Sequence, residues 1–93
     1  MPVTIKITGI IKDVFPVETY GNFTKRVIWV EEIEQNYNST FQVEFNQNKI
    51  QELKGIKSGD VVEIDADLTG RYVAKNGKEY VFNSVNGWRI KKI

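Results

Sequence analysis

Apolar and polar residues alternate along five stretches of the chain, and a period of two is typical of half-buried β-strands. The clearest stretch is "TFQVEF", residues 40–45, in which every second side chain is apolar. Gly9 and Gly70 interrupt the first and fourth stretches and predict a bulge or a bend there. The predicted strands cover residues 3–15, 23–32, 40–45, 61–72 and 80–90.

Between the third and fourth stretches, the apolar spacing changes from that of a strand to that of a helix. In "NKIQELKGI", Ile50 and Leu53 are three residues apart, and Asn48 is a candidate N-cap. Gly55 can adopt the left-handed conformation that ends a helix. One short helix of about two turns is therefore predicted over residues 48–56. Turns are predicted at residues 20–23, 35–39 and 76–77, the last of which, Asn-Gly, is a strong hairpin signal.

This order of elements predicts an all-β fold, a five-stranded Greek-key barrel with one short helix between its third and fourth strands. It is typical of the oligonucleotide-binding (OB) fold. An SH3-like barrel is the structural alternative, but it seldom carries a full helix at that point. A chain of 93 residues has room for one small core, so residues 1–93 are expected to form a single OB-fold domain.

The composition argues against catalysis and metal binding. The chain contains neither cysteine nor histidine, which excludes disulfides, thiol nucleophiles, imidazole bases and the usual zinc ligands. Glu63, Asp65 and Asp67 alternate on the fourth predicted strand and raise a metal hypothesis. Because no supporting ligands accompany them, a solvated acidic face is the preferred interpretation. We expect no enzymatic activity, no cofactor and no metal.

The sequence gives no sign of a membrane or secretory segment. No apolar run approaches the roughly 20 residues that a spanning helix needs. The opening "MPVTIKITGI" lacks the charged, apolar and small-residue order of a signal peptide. A cytoplasmic protein with no membrane partner is therefore expected.

The formal net charge of +1 conceals an uneven distribution along the chain. Residues 1–26 carry four cations and two acids, residues 27–69 carry three and nine, and residues 70–93 carry six and one. A fold that brought the first and last segments together would have a basic face, suited to a polyanion, and an acidic back. Ordinary scatter of solvated charges is the alternative.

Three segments carry a family resemblance: "ITGIIKDVFPVETYGNFTKR", "FNQNKIQELKGIKSGDVVEI" and "FNSVNGWRI". In their order and spacing, the chain resembles a family of small single-OB-fold proteins of unknown function from bacteria and phages. That family is itself similar to single-stranded DNA-binding proteins. The resemblance implies an OB fold and binding of single-stranded nucleic acid rather than catalysis.

A binder of single-stranded DNA with little sequence preference needs flat aromatic rings beside cations. In an OB barrel, the binding groove crosses the outer faces of the second and third strands, between the loops that join strands one and two and strands four and five. Phe23, Lys25 and Trp29 are predicted on the outer face of the second strand. The candidate nucleic-acid-binding residues are Tyr20, Phe23, Lys25, Arg26, Trp29, Arg71, Tyr72, Lys75, Lys78 and Tyr80.

Several aromatic residues have a structural alternative. Trp29 and Phe23 could pack against another subunit, or belong to the core if the two faces of their strand are reversed. Tyr72 and Tyr80 could stack on each other across the hairpin or offer a second base platform. Trp88 is predicted to be structural, closing the barrel from one face of the last strand together with Phe82 and Ile90.

The expected partners are single-stranded DNA, with RNA left open, and further copies of the chain. One OB domain covers roughly 4 to 16 nucleotides, so a dimer or tetramer is expected to gain avidity. The rim of the first strand is a candidate for edge pairing between subunits. The alternative function is an OB-fold protein-interaction or structural module that uses the same aromatic face as a subunit interface.

Overall fold

The computed structural model describes residues 3–33 and 38–93, most of which form β-strands. The strands are β1 (Val3–Val14), β2 (Glu18–Tyr20), β3 (Phe23–Glu32), β4 (Thr40–Asn46), β5 (Val61–Lys75) and β6 (Lys78–Lys92). A 3₁₀ helix, Gln47–Leu53, lies between β4 and β5. The turn predicted over residues 35–39 falls partly on residues 34–37, which lie outside the described residues.

Five of the strands close into a barrel. The strands pair in the order β1-β5-β6-β4-β3-β2, and a further antiparallel pairing of β1 with β3 joins the two ends of the barrel. β4 and β6 pair in parallel at Glu44 and Asn86. The three-residue β2 pairs with the start of β3, as a short addition to the predicted five strands. This topology confirms the predicted OB fold.

The core consists of the inward-facing side chains of the barrel strands and one residue from the helix. Ile28 and Val30 of β3 and Val43 and Phe45 of β4 are all 0 % exposed, as the period-two pattern predicts. Burial of such a side chain contributes about 1.5–3 kcal/mol to folding. The core cluster is Ile7, Ile11, Ile28, Val30, Val43, Phe45, Leu53, Val62, Ile64, Ala66 and Ile90.

The helix differs from the prediction in its type and in its start. It is a 3₁₀ helix that begins at Gln47, with Asn46 at the N-cap position and no side-chain capping bond, so the prediction of Asn48 as the N-cap is wrong. The Gln47 side chain instead accepts hydrogen bonds from the backbone N–H and the hydroxyl of Thr24, each at 3.3 Å. Gly55 has a φ of 80°, which confirms the left-handed residue predicted at the end of the segment.

The last strand also departs from the prediction, because Phe82 and Trp88 do not join Ile90 in the core. Ile90 is 8 % exposed, whereas Phe82 is 56 % and Trp88 36 % exposed. The pairing of β5 with β6 shifts register between Asp65 and Ala66, and this leaves Trp88 as an extra residue in a bulge. Phe82 lies near the start of β6, where the β5–β6 hairpin extends beyond the core cluster.

The predicted separation of a basic face from an acidic back does not occur on the barrel. β5 lies between β1 and β6, so cations from both ends of the sequence flank its row of acids. Lys6 Nζ is 3.3 Å from Glu63 and 3.8 Å from Asp65, and Lys91 Nζ is 3.8 Å from Glu63. Thr4 donates a hydrogen bond to Asp67. The acids considered as metal ligands are thus paired with neighbours across the sheet.

Two kinds of feature are absent from residues 3–33 and 38–93. No helix in this part of the chain is both long and apolar enough to cross a membrane. No group of three or more acidic side chains there is arranged so that it could hold a metal ion.

Gly87 allows β6 to lie directly against the largest core side chain. A Cβ atom at this position would lie 2.6 Å from Cε1 and 2.8 Å from Cε2 of the Phe45 ring, inside van der Waals contact. Phe45 is fully buried, and a side chain in a close-packed core has little room to move. Glycine is therefore required at this crossing of β4 and β6.

We predict that Gly87→Ala lowers the free energy of unfolding by about 1–3 kcal/mol, the usual cost of overpacking a core. Gly70→Ala is the matched control, because a Cβ there would meet only Asn83 Oδ1 at 3.4 Å. Urea unfolding followed by circular dichroism measures both. Equal stability of the two variants would contradict the packing described for Phe45.

Candidate nucleic-acid interface

The outer face of β3 presents a tryptophan and a lysine. Because Ile28 and Val30 point into the core, Lys25, Val27 and Trp29 point outwards, which is the face assignment made from the sequence. Val27 is 8 % exposed but does not belong to the core cluster, since it lies on the floor of an outer cleft. Trp29 is half-buried on the same face.

Two contacts fix the orientation of the Trp29 ring. The Phe15 ring meets it edge-on, with 4.7 Å between centroids and 68° between planes. The indole Nε1–H donates a hydrogen bond of 3.1 Å to Gln42 Oε1 on β4. Phe15 is held in turn, because its N–H donates to the carbonyl oxygen of Val27 at 3.0 Å. The indole is therefore preorganised and not loosely exposed.

These residues border a cleft of about 460 Å³ on the outside of the barrel, within the range of small-ligand sites. We call it the Trp29 cleft. Most of its lining is apolar, with three polar side chains at the rim. Its lining residues are Phe15, Pro16, Glu18, Lys25, Val27, Trp29 and Gln42.

Carboxylates offset the charge of Lys25, the cation beside this cleft. Lys25 Nζ lies 3.5 Å from Glu44 Oε1, and Glu18 is its direct partner in the pairing of β2 with β3. The ammonium group also lies 5.7 Å from the centroid of the Tyr20 ring. The Trp29 cleft is thus an aromatic surface with little surplus positive charge.

Tyr20 and Phe23 extend the aromatic surface along β2 and β3. They are direct partners in that pairing and are 58 % and 40 % exposed. The Tyr20 hydroxyl donates a 2.7 Å hydrogen bond to Glu18 Oε1, and this bond to a carboxylate raises the pKa of Tyr20. The segment between β1 and β3 therefore lies beside the cleft, as expected of a loop that walls an OB groove.

Arg26 does not share the face of its neighbour Lys25. Adjacent residues of a strand point to opposite sides, and the Arg26 Nε–H donates a 2.7 Å hydrogen bond to the carbonyl oxygen of Phe15. Arg26 therefore holds in place the chain that follows β1. Of the predicted site residues on β3, Arg26 is the one that does not face the Trp29 cleft.

Beyond the core, β5 and β6 continue as a two-stranded arm, residues 70–83. At its tip, Asn76 and Gly77 have φ values of 53° and 77°, the positive pair that the Asn-Gly hairpin signal predicts. At its base, Asn46 donates to Asn86, which donates to Thr69, at 3.2 and 2.9 Å. These two hydrogen bonds connect the base of the arm to β4.

The two faces of the arm differ in chemistry. Directly paired residues share a face. Arg71 and its partner Phe82 therefore lie on one face of the arm, together with Val73 and its partner Tyr80. Tyr72 and its partner Val81 lie on the other face. We call the first side the basic face of the arm. It carries Arg71, Val73, Lys75, Lys78, Tyr80 and Phe82.

This arrangement corrects one alternative considered for the tyrosines. Tyr72 and Tyr80 lie on opposite faces and cannot stack on each other. Tyr80 stacks instead with Phe82, with 6.1 Å between ring centroids and 21° between planes. Sequence reasoning missed Phe82 as a candidate because it assigned this residue to the core. The signal was present, since Phe82 is two residues from Tyr80 and so shares its face.

The cations of the basic face are not paired with acids in the described part of the chain. Within residues 3–33 and 38–93, no carboxylate lies within 4.0 Å of the charged groups of Arg71, Lys75 or Lys78. The acid of the arm, Glu79, lies on the opposite face and accepts a 2.7 Å hydrogen bond from the Tyr72 hydroxyl, which raises the pKa of Tyr72. The basic face of the arm therefore offers accessible positive charge.

A path of shallow depressions connects the cleft with the arm. Gln42 borders both the Trp29 cleft and a depression at the base of the arm, which Leu68, Ser84 and Val85 also line. Ser84 also borders a third depression, on the basic face, with Arg71 and Phe82. We call this path the groove, and it brings residues of β3, β4 and the arm into one continuous surface.

Comparison with protein families gives a match over almost the whole chain. The model of a family described as Domain of unknown function (DUF3127) matches residues 6–91. The chain belongs to this family. The matched region runs from β1 to β6 and includes every residue of the Trp29 cleft and the arm. The resemblance to a family of unknown function is thereby confirmed. A search of curated proteins found no match to this chain.

Solved structures with the same fold include mitochondrial single-stranded DNA binding proteins. One crystal form of Rim1 from S. cerevisiae has a TM-score of 0.79 and 16 % identity, with 100 % of this chain and 96 % of that chain covered. Another form has a TM-score of 0.78 and 17 % identity, with coverage of 100 % and 97 %. At this identity, the likeness shows a shared OB fold.

Proposed function

We propose that this protein binds single-stranded DNA with little sequence preference, as a non-enzymatic OB-fold protein. The observation that carries the proposal is the Trp29 ring, which two contacts hold at an open cleft on the outside of a closed barrel. A ring that only stabilised the core would not need such a cleft beside it. The DNA-binding role of Rim1, a protein of the same fold, is consistent with the proposal.

Stacking explains why the ligand is single-stranded. The unpaired bases of a single strand can lie flat on an aromatic side chain, and each such contact contributes about 1–3 kcal/mol. In a duplex, the same base faces are covered by neighbouring base pairs. Trp29, Phe23 and Tyr20 offer platforms along β3 and β2, and the Tyr80–Phe82 stack offers one on the arm.

Phosphate contacts come mainly from the basic face of the arm. Lys25 is paired with Glu44, so moving it to a phosphate would leave that carboxylate without its cation. Within the described chain, no carboxylate would lose its partner if Arg71, Lys75 or Lys78 contacted a phosphate. The guanidinium of Arg71 can both contact phosphate and stack. The proposed interface therefore separates stacking, in the Trp29 cleft, from charge neutralisation, on the arm.

Self-association and RNA binding belong to the same proposal. Residues Val3–Thr8 of β1 pair with β5 along one edge, and β3 joins the other edge only from Gly9 onwards. Within residues 3–33 and 38–93, no strand pairs with the other edge of Val3–Thr8, which supports edge pairing into a dimer or tetramer. Stacking on bases and contact with phosphates do not depend on the 2′-hydroxyl, so RNA is an additional ligand to test.

We predict that the protein binds a labelled oligo-dT more tightly than the corresponding duplex, and that Trp29→Ala weakens the single-strand affinity. Loss of one stacked base corresponds to about 5- to 150-fold in Kd. Fluorescence anisotropy measures both effects.

Trp88→Ala is the matched control, because it removes the other tryptophan, which lies in the β6 bulge and lines none of the depressions of the groove. It should leave the affinity unchanged. Trp29→Phe keeps a ring against Phe15 and separates lost stacking from lost packing. Equal affinity for single strand and duplex, or equal effects of the two alanine variants, would overturn the proposed interface.

We also predict how affinity depends on salt. Each phosphate contact to a single strand contributes about 0.7 to the slope of log K against log salt concentration. The double variant Lys75→Ala/Lys78→Ala should therefore reduce the slope by about 1.4. Lys49→Ala/Lys54→Ala removes two exposed cations at the 3₁₀ helix, outside the groove, and should not change it. A slope unaffected by the arm variant would show that phosphates are contacted elsewhere.

A further inference from the structure

The hydrogen bond between Trp29 and Gln42 fixes which way the Gln42 amide points. An indole N–H can only donate, so the atom of Gln42 that lies 3.1 Å from it must be the carbonyl oxygen Oε1. The Nε2 amino group then lies on the other side of the amide, with two N–H donors. A glutamine on an exposed strand face is ordinarily free to rotate, but here the tryptophan determines its orientation.

Gln42 occupies the central position of the groove. It is the direct partner of Trp29 in the pairing of β3 with β4, so both side chains stand on the same outer face. Gln42 borders the Trp29 cleft, the depression at the base of the arm and a further depression beside Lys12. A base that stacked on Trp29 would therefore present its edge to the Gln42 amide.

The other polar side chains that line the cleft are Lys25 and Glu18. Lys25 Nζ is a donor only and adds to the donors of Gln42. Glu18 accepts a hydrogen bond from Tyr20 through Oε1, and its second oxygen remains an acceptor. A base edge rich in carbonyl oxygens is the best complement to two groups that donate.

Among the pyrimidines, thymine and uracil meet this requirement better than cytosine. Thymine and uracil carry the acceptor O4 at the position where cytosine carries an N4 amino group, which is a donor. Cytosine would place that donor against the donors of Gln42. The purines differ in ring size and stacking strength, so the pyrimidines are the closer comparison; thymine and cytosine differ at position 4 and in the thymine methyl group.

We infer that Gln42, oriented by Trp29, selects thymine or uracil over cytosine for the base that stacks in the Trp29 cleft. This inference rests on the proposed single-strand binding and adds a local preference to an otherwise nonspecific interface. One hydrogen bond corresponds to about a three- to tenfold preference for oligo-dT over oligo-dC of equal length.

Gln42→Glu provides the decisive test. The carboxylate still accepts from the Trp29 indole but replaces the two donors with an acceptor, and glutamate accepts from cytosine N4. The variant should therefore reverse the order and bind oligo-dC more tightly than oligo-dT. Its affinity for both should fall through the added negative charge, so the ratio of the two affinities is the quantity to compare.

Gln51→Glu is the matched control. It makes the same change at an exposed position of the 3₁₀ helix, and it should retain the wild-type ratio. Anisotropy titrations of the three proteins with both oligomers, at one salt concentration, measure all the ratios. Circular dichroism establishes that each variant is folded.

The outcomes separate the inference from the function on which it rests. A preference for oligo-dT that reverses in Gln42→Glu alone supports the role of Gln42. Equal binding of oligo-dT and oligo-dC by the wild type, or a loss in Gln42→Glu that leaves the ratio unchanged, overturns the selection and leaves single-strand binding intact. Failure of the wild type to bind either oligomer overturns both.

Discussion

Successive side chains of a β-strand point to opposite faces, and in β3 this rule makes one strand serve both the core and the outer surface. Ile28 and Val30 are fully buried, so Val27 and Trp29, which alternate with them, must lie outside the barrel. A shift of one residue would place the indole in the core and the isoleucine in water. The pairing of β3 with both β1 and β4 fixes the register and thereby the position of the tryptophan.

The same arrangement explains why the outer surface is ordered although it is open. Phe15, which follows β1, and Gln42 of β4 reach Trp29 from either side of β3 and hold the ring by packing and by a hydrogen bond. Arg26 contributes from the other face by holding the carbonyl group of Phe15. A preorganised platform loses little conformational entropy when a ligand stacks on it.

Electrostatics assign a different role to the arm. The net charge of +1 arises from 13 cations and 12 acids, some of which are paired on the barrel, as Lys6 is with Glu63 and Lys25 with Glu44. On the arm, Glu79 is turned away from the lysines by its hydrogen bond with Tyr72. The arm thus keeps positive charge that is accessible to a polyanion.

Local patterns predicted the features that depend on local rules. Alternation gave the inward faces of β3 and β4, and Asn76-Gly77 gave the hairpin, because side-chain direction and positive φ are set by adjacent residues. Phe82 and Trp88 were misplaced because the bulge depends on how β6 pairs with β5, and nothing in the sequence of β6 alone specifies that register.

The charge distribution stayed open between two alternatives for a related reason. Only the strand order, with β5 between β1 and β6, reveals that the acids face lysines from both ends of the chain. The candidate site likewise contains residues that local patterns predict and contacts that only the fold reveals. Trp29 and Lys25 were predicted from alternation, whereas the contacts of Arg26 with Phe15 and of Trp29 with Gln42 arise between separate segments.

The most direct test of the central claim is the fluorescence of Trp29 alone. Trp88→Phe leaves Trp29 as the remaining tryptophan, since the chain contains two. Titration of this variant with oligo-dT should quench its emission to saturation, with a midpoint equal to that from anisotropy, and duplex DNA should not. Binding of oligo-dT by anisotropy without any change in Trp29 emission would show that the indole is not the platform on which bases stack.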